Sequence, residues 1–350
     1  MIDAALRGVA VGLRPLIRAC RTERSEPPPG ALRRLFVLLG FVPGFAAWML
    51  LRGALLALRR SIDVEASVDL GAPKAPPRRM TCTLPDMIQT YLFLFGVWEP
   101  DLTALIRSRL RPGDGYIDVG ANVGAFVLAA AERVGAGGRI LAIEAAPAIA
   151  ERLRANLARN GIVPAAEADP RRSADAPSTR IAVVAASDRE GVLRLFAGPP
   201  KNLGRTTTVA SVGAAQGSAE PTAVVPARPL GAIATAEELA GARIIKIDVE
   251  GAEPAVLRGL AEILDRLRRD CEIVVELSPH WWPAGEMPLA AVLEPFFAAG
   301  FVAYELPNVY WPWRYAWPRC VASPRRLRDE LRSINRRVDL VLSRTEAETL

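Results

Sequence analysis

From about residue 100 onward, short apolar runs alternate with segments of helical spacing. The runs fall at residues 116–119, 140–143, 181–184, 244–247, 273–275, 301–304 and 338–342. Between them Ile149, Leu153 and Leu157 recur every fourth residue, and Val256, Leu257, Leu260, Ile263 and Leu264 line one helical face. Uninterrupted apolar strands alternating with amphipathic helices predict a parallel sheet covered on both faces. The last two runs, separated by the aromatic stretch 310–317, read as antiparallel strands that complete an α/β, doubly wound, seven-stranded sheet. Two polar stretches rich in Pro, Ala and Ser, 162–180 and 197–229, interrupt this rhythm and read as loops, where specificity tends to reside.

The first 65 residues follow another pattern, that of an N-terminal helical appendage. Residues 1–20 mix apolar residues with Arg7, Arg14 and Arg18, and a Pro-rich break follows at 26–30. Residues 35–51 carry no charge and are flanked by Arg33, Arg34 and Arg52. A membrane-spanning helix needs about 20 apolar residues, whereas this run is interrupted by Gly40, Pro43 and Gly44. It also starts too deep in the chain for a signal peptide. A pair of helices packed on the main domain is the first expectation. A basic anchor at the membrane surface is the second, and a transmembrane span the third. Residues 66–84, with Pro73, Pro76 and Pro77, read as a linker. The expected division is therefore an arm over 1–65, a linker over 66–84 and a main domain over 85–345.

Charge sharpens this division. The net charge of +6 suggests nucleic acid until it is located: ten arginines against three acids give residues 1–60 a charge of +7, which leaves the remaining 290 residues at −1. The main domain thus has no basic footprint, and nucleic acid is not expected as a partner. Only three lysines occur, Lys74, Lys201 and Lys246, and this Arg- and Ala-rich bias reads as a GC-rich bacterial coding sequence. Cys20, Cys82, Cys271 and Cys320 are scattered without paired spacing, which suits a reducing, cytoplasmic compartment better than a disulfide framework. A single histidine, His280, excludes a multi-His metal centre within one chain, and no metal site is assigned.

The chemistry starts at the first strand of the main domain. Asp118, Gly120, Asn122 and Gly124 alternate along Asp-Val-Gly-Ala-Asn-Val-Gly, a strand leading through a turn into a helix. Glycine lets such a turn adopt dihedrals closed to other residues, and the nitrogens of the helix start can bind an anionic group. The second strand ends in Glu144, where a carboxylate can accept hydrogen bonds from two ribose hydroxyls. A dinucleotide fold also uses such an acid, but it wants a third glycine that is not at the required place here. An NAD(P)-binding oxidoreductase is therefore the alternative reading, and Asn122 in the turn tilts against it.

These segments, together with Gly96-Val-Trp-Glu99, Ile143-Glu-Ala-Ala-Pro147, Asn156-Leu-Ala-Arg-Asn160 and Ala185-Ala-Ser-Asp-Arg-Glu-Gly191, resemble the FkbM family of methyltransferases. The more specific block is Ile245-Lys-Ile-Asp-Val-Glu-Gly-Ala-Glu253, followed by Val256-Leu-Arg-Gly259, and Val275-Glu276 matches in the next strand. The resemblance covers roughly residues 85–345. It departs at Pro229-Leu-Gly-Ala-Ile233, where relatives often carry Leu-Asp-Asp. It implies the Rossmann-like fold of class I methyltransferases, S-adenosyl-L-methionine as cofactor, and methyl transfer, usually to a hydroxyl of a sugar or natural product. By position it assigns Glu144 to the ribose and Gly120, Asn122 and Gly124 to the methionine portion. Ala185, Ser187 and Asp188 border the adenine, and Asp118 positions the turn.

In a doubly wound sheet the fourth strand lies beside the first, so its carboxyl end faces the reacting group. A hydroxyl acceptor needs a general base, and Asp248 is the first candidate for base or substrate anchor, with Glu250 second. Lys246 shares a strand face with Asp248. Glu276 ends the next strand and faces the same crevice. Glu253 reads equally as an acid at a helix start, and His280 more readily as a surface residue. The aromatic stretch and the neighbouring His280-Trp-Trp282 read as loop packing or as a sugar-stacking surface. The expected partner is a hydroxyl-bearing small molecule, glycan or glycolipid, with membrane contact through residues 1–60 as a further expectation. A non-catalytic scaffold that keeps the fold is the reading from another class, and the presence of Asp118, Gly120 and Glu144 counts against it.

Overall fold

The structure, a computed structural model, describes residues 2–19, 30–69, 76–163, 173–283, 285–316, 323–328, 331 and 334–350. It divides into two compact units, one of Met1–Leu105 with Pro200–Leu203 and Asn308–Ala322, the other comprising the rest of the chain.

The first unit holds helices α1 (Ile2–Ala19) and α2 (Ala31–Ala57), an antiparallel ribbon of β1 (Ile62–Val68) and β2 (Arg78–Leu84), and helix α3 (Met87–Phe95). The ribbon corrects the expected linker over 66–84. Ile62, Val64, Ala66 and Val68 alternate into the core while Asp63 and Glu65 point outward, the period of a half-buried strand. The Pro-rich segment that suggested a linker is only the connection between the strands, and its residues 70–75 lie outside the described ones. Asp86 caps α3 by accepting from the Gln89 amide at 2.9 Å, and Gly96 ends it at φ 77°. The aromatic stretch splits. Tyr315 is fully buried, with ring centroids 4.7 Å from Tyr91 and 4.9 Å from Phe95, and the Tyr310 hydroxyl donates to Glu99 at 2.5 Å. Trp311 and Trp313 instead stack on one another at 4.8 Å while staying 61% and 48% exposed.

Helix α4 (Pro100–Arg109) carries the chain into the second unit. There β3 (Gly115–Val119), α5 (Ala125–Val134), β4 (Arg139–Ile143), α6 (Pro147–Ala158) and β5 (Ser178–Ala182) form the first half of a doubly wound sheet. A side sheet follows, made of β6 (Ala185–Ser187), β7 (Gly191–Leu195) and β8 (Ala223–Pro229), with α7 (Ala210–Ala215) between the last two. The chain continues through α8 (Leu230–Ile233), α9 (Ala236–Gly241), β9 (Ala242–Ile247), α10 (Glu253–Ala261), β10 (Glu272–Leu277), α11 (Leu289–Ala298), β11 (Val302–Leu306), β12 (Arg325–Arg326) and β13 (Val338–Ser343).

The main sheet runs β12-β11-β13-β10-β9-β3-β4-β5. All seven predicted strands are in it, and the two-residue β12 adds an eighth at the edge. β5, β4, β3, β9 and β10 are parallel, and β13 runs antiparallel to both β10 and β11. Ile244, Ile245 and Ile247 are each fully buried, as strands covered on both faces require. The stretch 197–229 departs from its expected loop, because Ala223–Pro229 forms the middle strand of the side sheet. Pro226 and Pro229 masked this segment in the sequence, since proline is rare inside sheets. Of the other expected loop, 162–180, residues 164–172 lie outside the described residues, and its last three belong to β5.

Candidate functional site

Strand order reverses between β3 and β9: the chain winds outward through β4 and β5 on one side and through β10 on the other. A crevice at the carboxyl ends of these two strands is where doubly wound sheets bind ligands. Four of the sequence-predicted residues, Asp118, Gly120, Lys246 and Asp248, meet there.

Glycine at 120 answers to the neighbouring strand first. Its φ is 84°, and a Cβ would lie 1.9 Å from the Asp248 carbonyl oxygen, so the turn after β3 and the end of β9 touch backbone to backbone. Asn122 follows at φ 48° and Gly124 at φ 92°, so the three alternate positions after Asp118 are all left-handed. Asparagine tolerates that region better than most residues, which accounts for its place in the turn. The turn is tied down from outside by Asn156 on α6, whose Nδ2 donates to the Val123 carbonyl at 3.0 Å. This gives the Asn156 segment a physical role that the sequence alone did not supply.

Glu144, just past the end of β4, accepts from the Asn122 amide and from the Ala146 amide, each at 2.9 Å. One backbone donor thus occupies each carboxylate oxygen. Each oxygen has a second acceptor position, and the residue is 8% exposed. Burial raises its pKa to about 6 despite the two amides, which favour the carboxylate.

Lys246 is the hub. Its Nζ donates to the Gly120 carbonyl at 3.2 Å and to Asp248 Oδ2 at 3.3 Å, lies 3.5 Å from Asp118 Oδ1, and sits 5.1 Å from the Phe126 ring centroid. Asp118 is wholly buried, and Lys246 is the cation that faces its carboxylate. Burial raises its pKa to about 6, opposed chiefly by the Lys246 charge. Asp248 differs from Asp118 in its access to solvent, with 27% of its side chain exposed.

The remaining candidates form a second acidic group. Glu250 has φ 55°, and its pKa is pushed well above the usual range by burial and by Asp248 and Glu253. Glu253 accepts from the Gly251 amide at 2.8 Å and from Trp282 Nε1 at 3.2 Å, and burial raises its pKa to about 7. Tied to its own helix start and to a tryptophan, it has the geometry of a structural acid. Glu276 on β10 lies 3.8 Å from Arg337. Arg337 and Arg205 both favour the charged form of Glu250, and the Arg205 guanidinium lies over the Trp281 ring at 4.6 Å. The sequence reading missed both arginines, and in a chain with only three lysines among 44 basic residues nothing distinguished them. His280 is exposed and packs its ring against Trp281 at 5.1 Å.

Ala185 and Ser187 are buried on β6. Ala185 packs in a small core with Ala146, the residue whose amide holds Glu144. Asp188 pairs with Arg258 at 3.1 Å and borders a cavity of about 220 Å³ that is also lined by Ser187, Thr208, Gly251 and Glu286. Among the described residues no group of three or more His, Cys, Asp or Glu is placed to hold a metal ion. Cys82 and Cys271 are buried free thiols, and Cys20 and Cys320 lie outside the described residues.

No curated protein matches this chain. Among solved structures it is similar to fibrillarin from Aeropyrum pernix with natively bound S-adenosyl-L-methionine, at 10% identity over 69% of this chain and 72% of that one, with a TM-score of 0.34. It is also similar to an S-adenosylmethionine-dependent O-methyltransferase from Thermotoga maritima, at 13% identity over 79% and 77%, TM-score 0.34. A third is an O-methyltransferase from Bacillus cereus in complex with S-adenosylhomocysteine, at 12% identity over 70% and 78%, TM-score 0.32. The methyltransferase FkbM domain matches residues 118–303, from the buried Asp118 through the strands that carry Glu144, Lys246 and Glu276. That span is more than half of the 350 residues, and it contains Asp118, Gly120, Glu144, Lys246 and Asp248. The chain belongs to the FkbM family of methyltransferases.

Proposed function

We propose that the protein transfers a methyl group from S-adenosyl-L-methionine to a hydroxyl of a sugar, glycolipid or secondary metabolite. The observation that carries this reading is the pairing at the switch point of a ribose-type acid, Glu144, with a half-open carboxylate, Asp248, on the adjoining strand side.

The residues fit the cofactor. Glu144 keeps a free acceptor position on each oxygen after binding the Asn122 and Ala146 amides, which suits two ribose hydroxyls. The left-handed turn from Gly120 to Gly124 would hold the methionine portion, and Ala185 and Ser187 would border the base. When bound, S-adenosyl-L-methionine supplies a methyl group on a positively charged sulfur.

The chain's own share is alignment and proton handling, since an in-line displacement gains mostly from holding its reactants in place. An acceptor hydroxyl must lose its proton, and Asp248 has the solvent access to receive it. Lys246 fixes that carboxylate from one side at 3.3 Å. Glu250 and Glu276, with Arg205 and Arg337 beside them, would hold polar groups of the acceptor. The oxidoreductase alternative is set aside on family membership.

The test is incubation of the protein and carbon-13 methyl-labelled cofactor with lipid, glycan and small-molecule fractions of a lysate. The reading expects label in a methoxyl carbon. Label on nitrogen or carbon alone, or none in any fraction, would remove it.

A further inference from the structure

Helix α1 is built the wrong way round for water. Its outward residues are Ile2, Ala4, Ala5, Gly8, Val9, Val11, Gly12, Pro15 and Leu16, with Arg7 as the one polar exposed side chain. Ile2, Ala5, Val9, Gly12 and Leu16 form a stripe at alternating spacings of three and four, the repeat of one helical face. Its other two arginines, Arg14 and Arg18, point inward instead. Arg14 donates from Nε to the Phe93 carbonyl at 2.7 Å and from Nη2 to the Ser67 carbonyl at 2.5 Å, and Arg18 donates to the Ser67 and Leu94 carbonyls at 2.8 and 3.4 Å. The Phe93 and Leu94 carbonyls belong to the last turn of α3, which leaves such groups without helical partners.

Helix α2 repeats the arrangement. From residue 35 to 58 its described exposed side chains are Leu35, Leu39, Val42, Pro43, Ala46, Met49, Leu50, Ala54, Ala57 and Leu58, none of them polar. Leu39 is 56% exposed and Leu50 78%. Soluble surfaces scatter such residues singly; a continuous apolar face on two packed helices marks a binding surface. Its edges are basic. Arg7, Arg34, Arg59 and Arg60 are exposed, and among the described residues of the two helices Asp3 is the only acid, already paired with Arg60 at 2.8 Å. No helix among the described residues is long and apolar enough to cross a membrane.

We propose that α1 and α2 lie in the surface of an anionic bilayer, with the apolar stripes in the acyl boundary and the rim arginines at the headgroups. Outward arginines alone would suit a soluble nucleic-acid binder, and outward apolar residues alone would suit a second copy of the chain. The two together match the chemistry of an anionic lipid surface. The sequence motif of arginines among apolar residues hid this geometry, because Arg14 and Arg18 are spent on backbone carbonyls.

The test is flotation of the full chain with vesicles of phosphatidylcholine alone and of an equimolar phosphatidylcholine–phosphatidylglycerol mixture. The protein is expected to float with the anionic vesicles and to bind the neutral ones roughly ten-fold or more weakly. The variant Val9→Gln, Leu39→Gln, Leu50→Gln is expected to lose binding to both, and Arg7→Gln with Arg59→Gln only the anionic preference. Near-ultraviolet circular dichroism checks that each variant is folded, and single substitutions replace the triple if it is not. Failure to float with anionic vesicles overturns the proposal. So does a dimer that the apolar substitutions dissociate while vesicle binding stays intact.

Discussion

The ends of β3 and β9 lie side by side in the sheet and are built on opposite principles. At β3 the polar groups are consumed by the protein: Asp118 is sealed in, Glu144 is tied to two amides, and the glycine turn is pressed against the Asp248 carbonyl. Past β9 the Asp248 carboxylate stays partly open, and Glu250, with Glu276 on the neighbouring β10, faces arginines. The first end has the rigidity needed to hold a fixed ligand, and the second keeps one carboxylate, Asp248, open to solvent. A binding site for one constant cofactor and one variable acceptor has just this division of labour. Lys246 joins the two, since it contacts Gly120, Asp118 and Asp248 at once.

The severest break of the β3 end is Gly120→Ala. With a Cβ 1.9 Å from a backbone oxygen and φ at 84°, the variant should fail to fold or lose roughly 4 kcal/mol or more, read by urea denaturation. Lys246→Met comes next. It leaves Asp118 buried with no positive neighbour, and breaking a buried pair from one side costs about 3–5 kcal/mol. An unchanged midpoint would show that Lys246 is not the link between the two ends.

Asp248→Asn sharpens the contrast instead of breaking it. A lost general base lowers kcat by about 10²–10⁴-fold, whereas the rigid cofactor end should keep its Kd. A parallel loss of cofactor affinity would mean that the two ends are not separable. Glu144→Gln should do the reverse, weakening cofactor binding roughly 10- to 100-fold through charged hydrogen bonds to the ribose.

The mildest test is pH. Glu144 has its pKa raised to about 6, above the value near 4.3 of an unfolded chain. Without cofactor this group makes the folded state less stable as pH rises from about 4 to 6, because the folded form holds its proton longer. Ribose binding favours the carboxylate, so cofactor affinity should rise with pH up to about 6 and level off above it. In Glu144→Gln that rise should flatten, leaving only what Asp118, also near 6, contributes.

Periodicity exposed the main sheet almost completely, because strands buried on both faces must be apolar throughout, as Ile244, Ile245 and Ile247 are. It failed where local signals competed. The prolines of 72–77 hid the ribbon that β1 forms with β2, and Pro226 and Pro229 hid β8. The site was legible where chemistry is tied to backbone geometry, at Gly120, Asn122 and Glu144. Arg205 and Arg337 were not, since their role depends on contacts made far along the chain. The outward face of α1 was equally hidden, because sequence places arginines on a helix without saying which of them will find carbonyls.

We place S-adenosyl-L-methionine, and not a dinucleotide, at the β3 end. Thermal unfolding of the full chain with S-adenosyl-L-methionine, S-adenosylhomocysteine or NAD tests it most directly, since a ligand that binds only the folded state raises Tm. Tm should rise with the first two, a rise retained in Asp248→Asn and much reduced in Glu144→Gln, and should not move with NAD. A rise with NAD and none with S-adenosyl-L-methionine would contradict it.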